Sequence, residues 1–155
     1  MALFPKIPED AIFLSRDEVT NPLATYSKHS FELEGRQWPS VEHYFQGMKF
    51  SDAALQQKII EAPHPRDAVK IAKRNFLRKR KDWKKIQRVV MTRGTYIKCR
   101  THPEVTEALL ETGNVPIIEA SLYDHYWGCG RDQRGENHYG KILMEIRARL
   151  REEAS

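Results

Sequence analysis

Between Ser40 and Arg147 the chain is punctuated at short intervals by residues that start or stop helices, and this restricts its fold more than any other feature. Ser40 is a favoured N-cap, so a helix is predicted from Val41, with Val41, Tyr44, Phe45 and Met48 on one apolar face. A second helix is predicted over 53–62, capped by Asp52 and stopped by the run Pro63-His64-Pro65. A third fits 66–76, with Val69, Ala72 and Phe76 as its apolar stripe. Asp82 is placed to cap a long helix reaching residue 100, with apolar positions at Trp83, Ile86, Val89, Val90, Tyr96 and Ile97 and a bend at Gly94. Pro103 opens a fifth helix, with Gly113 just beyond its end. A last helix from residue 138 carries Ile142, Leu143, Ile146 and Leu150.

Little is left over for strands. Residues 11–15 and 30–34 are strand-like, and Gly35 turns the second into a short returning strand that ends at Pro39. Residues 115–122 form a buried apolar run. The expectation is an α+β chain, mostly helical, with a small β-sheet, folding as a single domain over 1–155. A chain of 155 residues buries enough surface to be stable without disulfides or structural metal. Cys99 and Cys129 fit no zinc or CxxC pattern. No stretch has the length and apolarity of a membrane helix, and the segment Met1 to Asp10 lacks the features of a leader peptide. A cytoplasmic location is expected.

Charge is distributed unevenly. The net charge is +5, yet residues 66–100 hold 14 Lys or Arg against 2 Asp, and the rest of the chain is net −7. Such a segment attracts phosphate or forms a solvated helix face. It fits no helix-turn-helix, RRM or zinc-finger pattern.

Two features invite a chemical reading. Glu42, Gln46 and Lys49 form a polar row along one flank of the first helix, and Glu42 has no basic residue three or four positions away to explain it. A glutamate favoured by the helix dipole is the simpler alternative. The second feature is the Gly-rich loop 124–137, which begins at Asp124 and carries Trp127, Gly128 and Asn137; loops of this length are often functional.

The segments WPSVEHYFQGMKF (38–50), RKDWKKIQRVVM (80–91), LLETG (109–113), IIEAS (117–121), DHYWGCG (124–130) and GENHYGKILMEIR (135–147) resemble, in order and spacing, the NADAR family. The resemblance covers roughly 30–147. It implies the α+β fold of the YbiA-like branch and hydrolysis of an N-glycosidic bond between ribose and a nitrogenous base. In that branch the substrates are ribosylaminopyrimidine 5′-phosphates of riboflavin biosynthesis. Other branches resemble hydrolases that remove ADP-ribose from guanine, the one setting in which nucleic acid would be a partner. A non-catalytic module binding NAD or ADP-ribose is the remaining alternative. The family's Ser-Asn-Phe segment corresponds here to Ala24-Thr25-Tyr26, so Thr25 stands where an asparagine is usual.

Breaking a ribosyl C–N bond builds positive charge at C1′ and calls for a carboxylate beside it, with no metal or redox cofactor required. Glu42 and Asp124 are the catalytic candidates. The substrate-binding candidates are Tyr44, Gln46, Lys49, Arg74, Trp83, Lys98, Glu119, Trp127, Gly128 and Asn137. Among them Lys49, Arg74 and Lys98 would hold phosphate or lie on a solvated surface. Trp127 and Trp83 are base platforms or core, with Trp83, next to the basic cluster, alternatively lining the phosphate end. Glu119 is a third acid or a structural group, Asn137 a contact to a ribose hydroxyl or base edge or else a helix cap, and His43 a structural hydrogen-bonding residue before it is a direct participant.

Overall fold

In a computed structural model, residues 7–155 are described. The reading of Met1 to Asp10 as lacking a leader rests mostly on residues outside that range. The elements are β1 (Ile12–Leu14), β2 (Phe31–Leu33), β3 (Arg36–Trp38), α1 (Val41–Gly47), α2 (Ala53–Ile60), α3 (Pro65–Arg74), α4 (Trp83–Thr101), α5 (Pro103–Glu111), β4 (Ile117–Glu119) and α6 (His138–Ala154), with a 3₁₀ turn at Phe76–Arg78. The expected helix-rich α+β architecture is present. Among the described residues no helix is long and apolar enough to cross a membrane.

The strands make two separate pairs rather than one small sheet. β2 and β3 form the hairpin expected around Gly35, with Phe31 opposite Trp38. β1 and β4 are parallel, with Leu14 beside Glu119, although the mostly helical stretch 15–116 lies between them in sequence. Nothing in either segment alone announces this pairing. It matters for function, because the C-terminal ends of both strands open onto the same side, where ligands of parallel sheets commonly lie.

Helix starts follow local chemistry. The Ser40 hydroxyl accepts from the His43 backbone N–H at 3.1 Å, and Asp52 Oδ1 accepts from Ala54 and Leu55. Two expectations fail locally. Asp82 does not cap α4 with its side chain, because Arg80 occupies its carboxylate at 2.7 and 3.0 Å. Phe76 and Val89, expected inside, are 64% and 59% exposed, since the helical stripe of α3 ends at Arg74 and Val89 lies off the buried face of α4. Gly94 does not interrupt α4. Its role is room: a Cβ there would lie 2.7 Å from a Tyr44 ring carbon.

The main core packs Phe31, Trp38, Tyr44, Met91, Ile142 and Leu143 from strands and helices distant in sequence, each such side chain contributing about 1.5–3 kcal/mol on burial. A satellite core of Phe50, Leu55, Ile59, Ala68 and Ala72 ties α2 and α3 together. Between the two runs α1, all seven of whose residues are buried. A short helix with polar side chains on its flank is thereby held inside the molecule, and each buried polar group on it requires a partner.

Candidate active site

Of those polar groups, His43 is the simplest. Its Nε2 lies 3.0 Å from the Ala62 carbonyl, which only accepts, so Nε2 carries the proton and Nδ1 takes the Ser40 hydroxyl at 2.7 Å. Burial lowers its pKa, and the neutral ring ties α1 to the end of α2. This is the structural role expected for it.

Glu42 is 4% exposed and makes no ion pair among the described residues. Its Oε2 accepts from the Thr25 hydroxyl at 2.8 Å and its Oε1 from the Gln46 amide at 3.0 Å. The Thr25 hydroxyl also lies 3.3 Å from the Arg16 carbonyl, but its single proton goes to the nearer, charged acceptor. A further bond runs from the Glu42 backbone N–H to the Thr25 carbonyl at 3.0 Å. Thr25 thus grips Glu42 at both its carboxylate and its backbone.

Glu42 forms part of the wall of a cavity of about 410 Å³. From α1 come Glu42, Phe45 and Gln46, with Lys49 just beyond the helix; from α3 come Val69 and Lys73. The loop after β1 supplies Arg16 and Asp17, the loop before β2 supplies Tyr26, and the loop after β4 supplies Ser121, Asp124 and Trp127. A larger groove of about 590 Å³ lies between α4, α5 and the end of α6, but it holds no buried carboxylate of this kind.

The cavity brings together three cations with Glu42: Arg16, Lys49 and Lys73. The Arg16 guanidinium meets Asp124 Oδ2 at 3.1 Å and lies 5.8 Å from the centre of the Trp127 ring. Lys49 Nζ sits 5.5 Å from the Phe45 ring and 5.9 Å from the Trp83 ring, and burial pushes its pKa from 10.5 to about 8 against the pull of Glu42. Tyr26 is pushed up to about 12, by burial and then by the Glu42 charge, so its phenol stays protonated. The arrangement offers an anionic floor beside cations able to take a phosphate.

Asp124 lines the same cavity, yet both its oxygens are engaged. Oδ1 accepts from the backbone N–H groups of Tyr126 and Trp127 at 3.0 and 2.8 Å, and Oδ2 holds Arg16. Trp127 also lines it while packing edge-on against Phe45 at 5.4 Å. Gln46 and Lys49 are in the wall as well, so five of the twelve sequence candidates meet there.

The other seven stand elsewhere. Tyr44 is fully buried between Phe31, Trp38 and Gly94, because the apolar face of α1 turns into the main core. Trp83 is buried against Phe45, behind the cavity wall. Arg74 is exposed and outside the cavity, whereas its neighbour Lys73 lines it. Lys98 is fully buried and donates to the Ala24 carbonyl at 2.9 Å and the Ser27 hydroxyl at 3.0 Å, which removes it from any surface. Glu119 accepts from the Arg16 and Ser121 backbone N–H groups at 2.8 and 2.9 Å, fixing the two loops that leave the parallel strands. Gly128 packs on Glu119, where a Cβ would come within 2.5 Å of Oε1. Asn137, in a left-handed conformation, neither caps α6 nor reaches the cavity: its side-chain amide bonds the Glu119 N–H and the Ile117 carbonyl, like a neighbouring strand on β4.

Arg16, Tyr26 and Lys73 escape the sequence reading. A charged residue directly after the apolar strand 11–15 is the available signal for Arg16, but it acquires meaning only once β1 and β4 are known to be parallel.

The fold and cavity define a helix-rich α+β protein with a buried carboxylate in a cavity also lined by Arg16, Lys49 and Lys73. A family model described as the NADAR domain matches residues 6–151. An N-glycosidase of Nostoc punctiforme is 34% identical over 131 residues, covering 83% of this chain and 84% of that protein. The N-glycosidase YbiA of Escherichia coli is 30% identical over 138 residues, covering 89% and 86%. A riboflavin biosynthesis protein of Vibrio vulnificus is 35% identical over 142 residues, covering 92% of this chain and 39% of that protein. The NMR structure of E. coli YbiA superposes with a TM-score of 0.83 at 27% identity, over 98% of this chain and 91% of that one. The chain belongs to the NADAR family.

Proposed function

We propose that this chain is an N-glycosidase that hydrolyses the ribosyl C–N bond of a ribosylaminopyrimidine 5′-phosphate, releasing ribose 5-phosphate. The observation that carries the reading is Glu42, a buried carboxylate that makes no ion pair among the described residues and lines a cavity it shares with Arg16, Lys49 and Lys73. Burying a carboxylate is costly unless its oxygens are bonded, and here Thr25 and Gln46 bond them while the group still faces a cavity. The names of the N-glycosidase relatives agree with it.

Each carboxylate oxygen of Glu42 takes one protein donor and retains lone pairs for the ligand. The carboxylate stabilises the positive charge that grows at C1′ as the bond to the base lengthens, and orients water toward that carbon. Lys49 and Lys73 hold the 5′-phosphate; Lys49 is charged at neutral pH. Trp127 supplies an aromatic wall and Tyr26 a protonated phenol able to donate toward the departing base. Asp124, bound by three donors, acts by holding Arg16 and the loop rather than by exchanging protons.

The test is a substrate panel offered to the wild-type protein: the ribosylaminopyrimidine 5′-phosphate, NAD, and ADP-ribosylated guanosine, with released sugar measured by mass spectrometry. Release of ribose 5-phosphate from the first is expected. Cleavage of ADP-ribosylated guanosine alone would move the substrate to the ADP-ribosyl class, and binding without cleavage of any would overturn the enzymatic reading.

A further inference from the structure

The two cavity residues Gln46 and Arg16 each carry a buried polar atom without a hydrogen-bond partner among the described residues: Gln46 Oε1 and Arg16 Nε. The other two such atoms, Tyr44 Oη and Thr95 Oγ1, belong to residues that do not line the cavity. The orientation of the Gln46 amide follows from chemistry. Its neighbour is the Glu42 carboxylate, an acceptor, so the NH₂ group faces Glu42 at 3.0 Å and the carbonyl oxygen is the end left over. Gln46 is 5% exposed, and a buried unpaired carbonyl is expensive unless a ligand completes it.

From this we infer that Gln46 and Arg16 read the ribose hydroxyls, making the site selective for ribosyl over 2′-deoxyribosyl substrates; the inference rests on the glycosidase reading above. Gln46 Oε1 needs a donor and Arg16 Nε–H needs an acceptor, and a cis-diol offers both in one ligand. The amide oxygen and nitrogen are only about 2.3 Å apart by covalent geometry. A hydroxyl donating to Gln46 Oε1 is therefore a close neighbour of the Glu42 carboxylate. The hydroxyl adjacent to C1′ is the 2′-OH, so the same amide that receives it sets C1′ beside the group that stabilises its charge. Hydrogen bonds to that hydroxyl strengthen as an oxocarbenium ion forms, which makes this a transition-state contact as well as a binding one. Arg16, held in place by Asp124, meets an oxygen of the neighbouring hydroxyl.

The experiment compares kcat/KM for a ribosyl substrate and its 2′-deoxyribosyl counterpart, in wild type and in Gln46→Met, which keeps the length and removes both amide ends. In parallel, ribose 5-phosphate and 2-deoxyribose 5-phosphate are titrated calorimetrically into both proteins. Wild type is expected to favour the ribosyl compound by roughly 10- to 100-fold, and Gln46→Met to lose most of that ratio. The electron-withdrawing 2′-OH makes ribosides intrinsically slower to ionise than deoxyribosides, so slower enzymatic cleavage of the deoxy compound cannot come from the substrate itself. A merely structural Gln46 would lower both rates and leave their ratio unchanged, which would overturn the inference. If wild type cleaves both equally, the glycosidase reading stands and this inference falls. If it cleaves neither, that reading falls, and the titrations decide this one: a preference for ribose 5-phosphate that Gln46→Met abolishes sustains it, whereas equal binding or no binding refutes it. Should Gln46→Met fail to fold, the wild-type comparisons decide alone.

Discussion

Lys98 is a buried lysine that pairs with no carboxylate among the described residues, and replacing it with methionine should separate stability from activity. In the folded protein burial carries its pKa from 10.5 down to about 8. A displacement of that size corresponds to about 3 kcal/mol. The sign follows from proton counting: between pH 8 and 10.5 the unfolded chain holds the proton that the folded chain has released, so stability rises with pH across this window. Below pH 8 the full penalty of a buried ammonium is present. Methionine removes the penalty but takes away the ammonium bonds to the Ala24 carbonyl and the Ser27 hydroxyl, about 1.5–3 kcal/mol for each bond to a charged donor, while the Ser27 backbone N–H stays on the Ala24 carbonyl and His29 beside the Ser27 hydroxyl. The two effects nearly offset at neutral pH. Activity should nonetheless fall about 10-fold or more, because Lys98 fastens the loop 24–27 that presents Thr25 to Glu42 and Tyr26 to the cavity. Chemical denaturation of both proteins from pH 7 to 10.5, with kcat measured on each, tests this. Lys49 titrates over the same window, so the difference between the two stability curves isolates Lys98. The variant's curve should be flatter by about 3 kcal/mol over this range. Parallel curves would refute the account of Lys98 as a buried, chargeable clamp.

Other substitutions probe the rest of the site. Thr25→Val removes the donor to Glu42 Oε2 at nearly constant volume and should lower kcat about 10- to 100-fold, whereas Thr25→Asn, which restores a donor, should retain most of it in the same assay. As pH rises through about 8, Lys49 loses its charge and KM for the phosphorylated substrate should climb; Lys49→Arg should remove that dependence from the pH profile. Gly128→Ala drives a methyl group to 2.5 Å from Glu119 Oε1 and 2.9 Å from the Glu119 carbonyl, and should cost about 2 kcal/mol or more in thermal or urea unfolding.

How much of this is legible in the sequence depends on which interactions are local. Caps at Ser40 and Asp52, the proline that opens α5 and the Gly35 hairpin act over two to four residues, and the helices and the hairpin are readable from them. The polar row Glu42, Gln46 and Lys49 is readable for the same reason, Glu42 and Gln46 lying one turn apart on α1 and Lys49 just beyond its end, and all three line the cavity. The β1–β4 pairing is not local, and with it goes Arg16, which its Glu119 anchor reaches across the fold. Composition puts lysine on surfaces and so misplaces Lys98; only the acceptors Ala24 and Ser27, more than 70 residues away in sequence, explain its burial. Asn137 reads as a cap or a sugar contact, since its resemblance to a neighbouring strand depends on a left-handed backbone at φ 52° that the sequence around it does not reveal.

The central claim is that the Glu42 carboxylate drives cleavage of the ribosyl bond. Single-turnover hydrolysis of the ribosylaminopyrimidine 5′-phosphate by wild type and by Glu42→Gln, with ribose 5-phosphate binding measured on both, tests it most directly. Glutamine keeps the size of the side chain and removes the charge; its carbonyl still accepts from Gln46, and its NH₂ meets the Thr25 hydroxyl, whose proton can turn to the Arg16 carbonyl. A fall in rate of about 100-fold or more, with binding of ribose 5-phosphate retained, is the predicted result. A variant that turns over at the wild-type rate would reduce Glu42 to a helix-start glutamate and contradict the account.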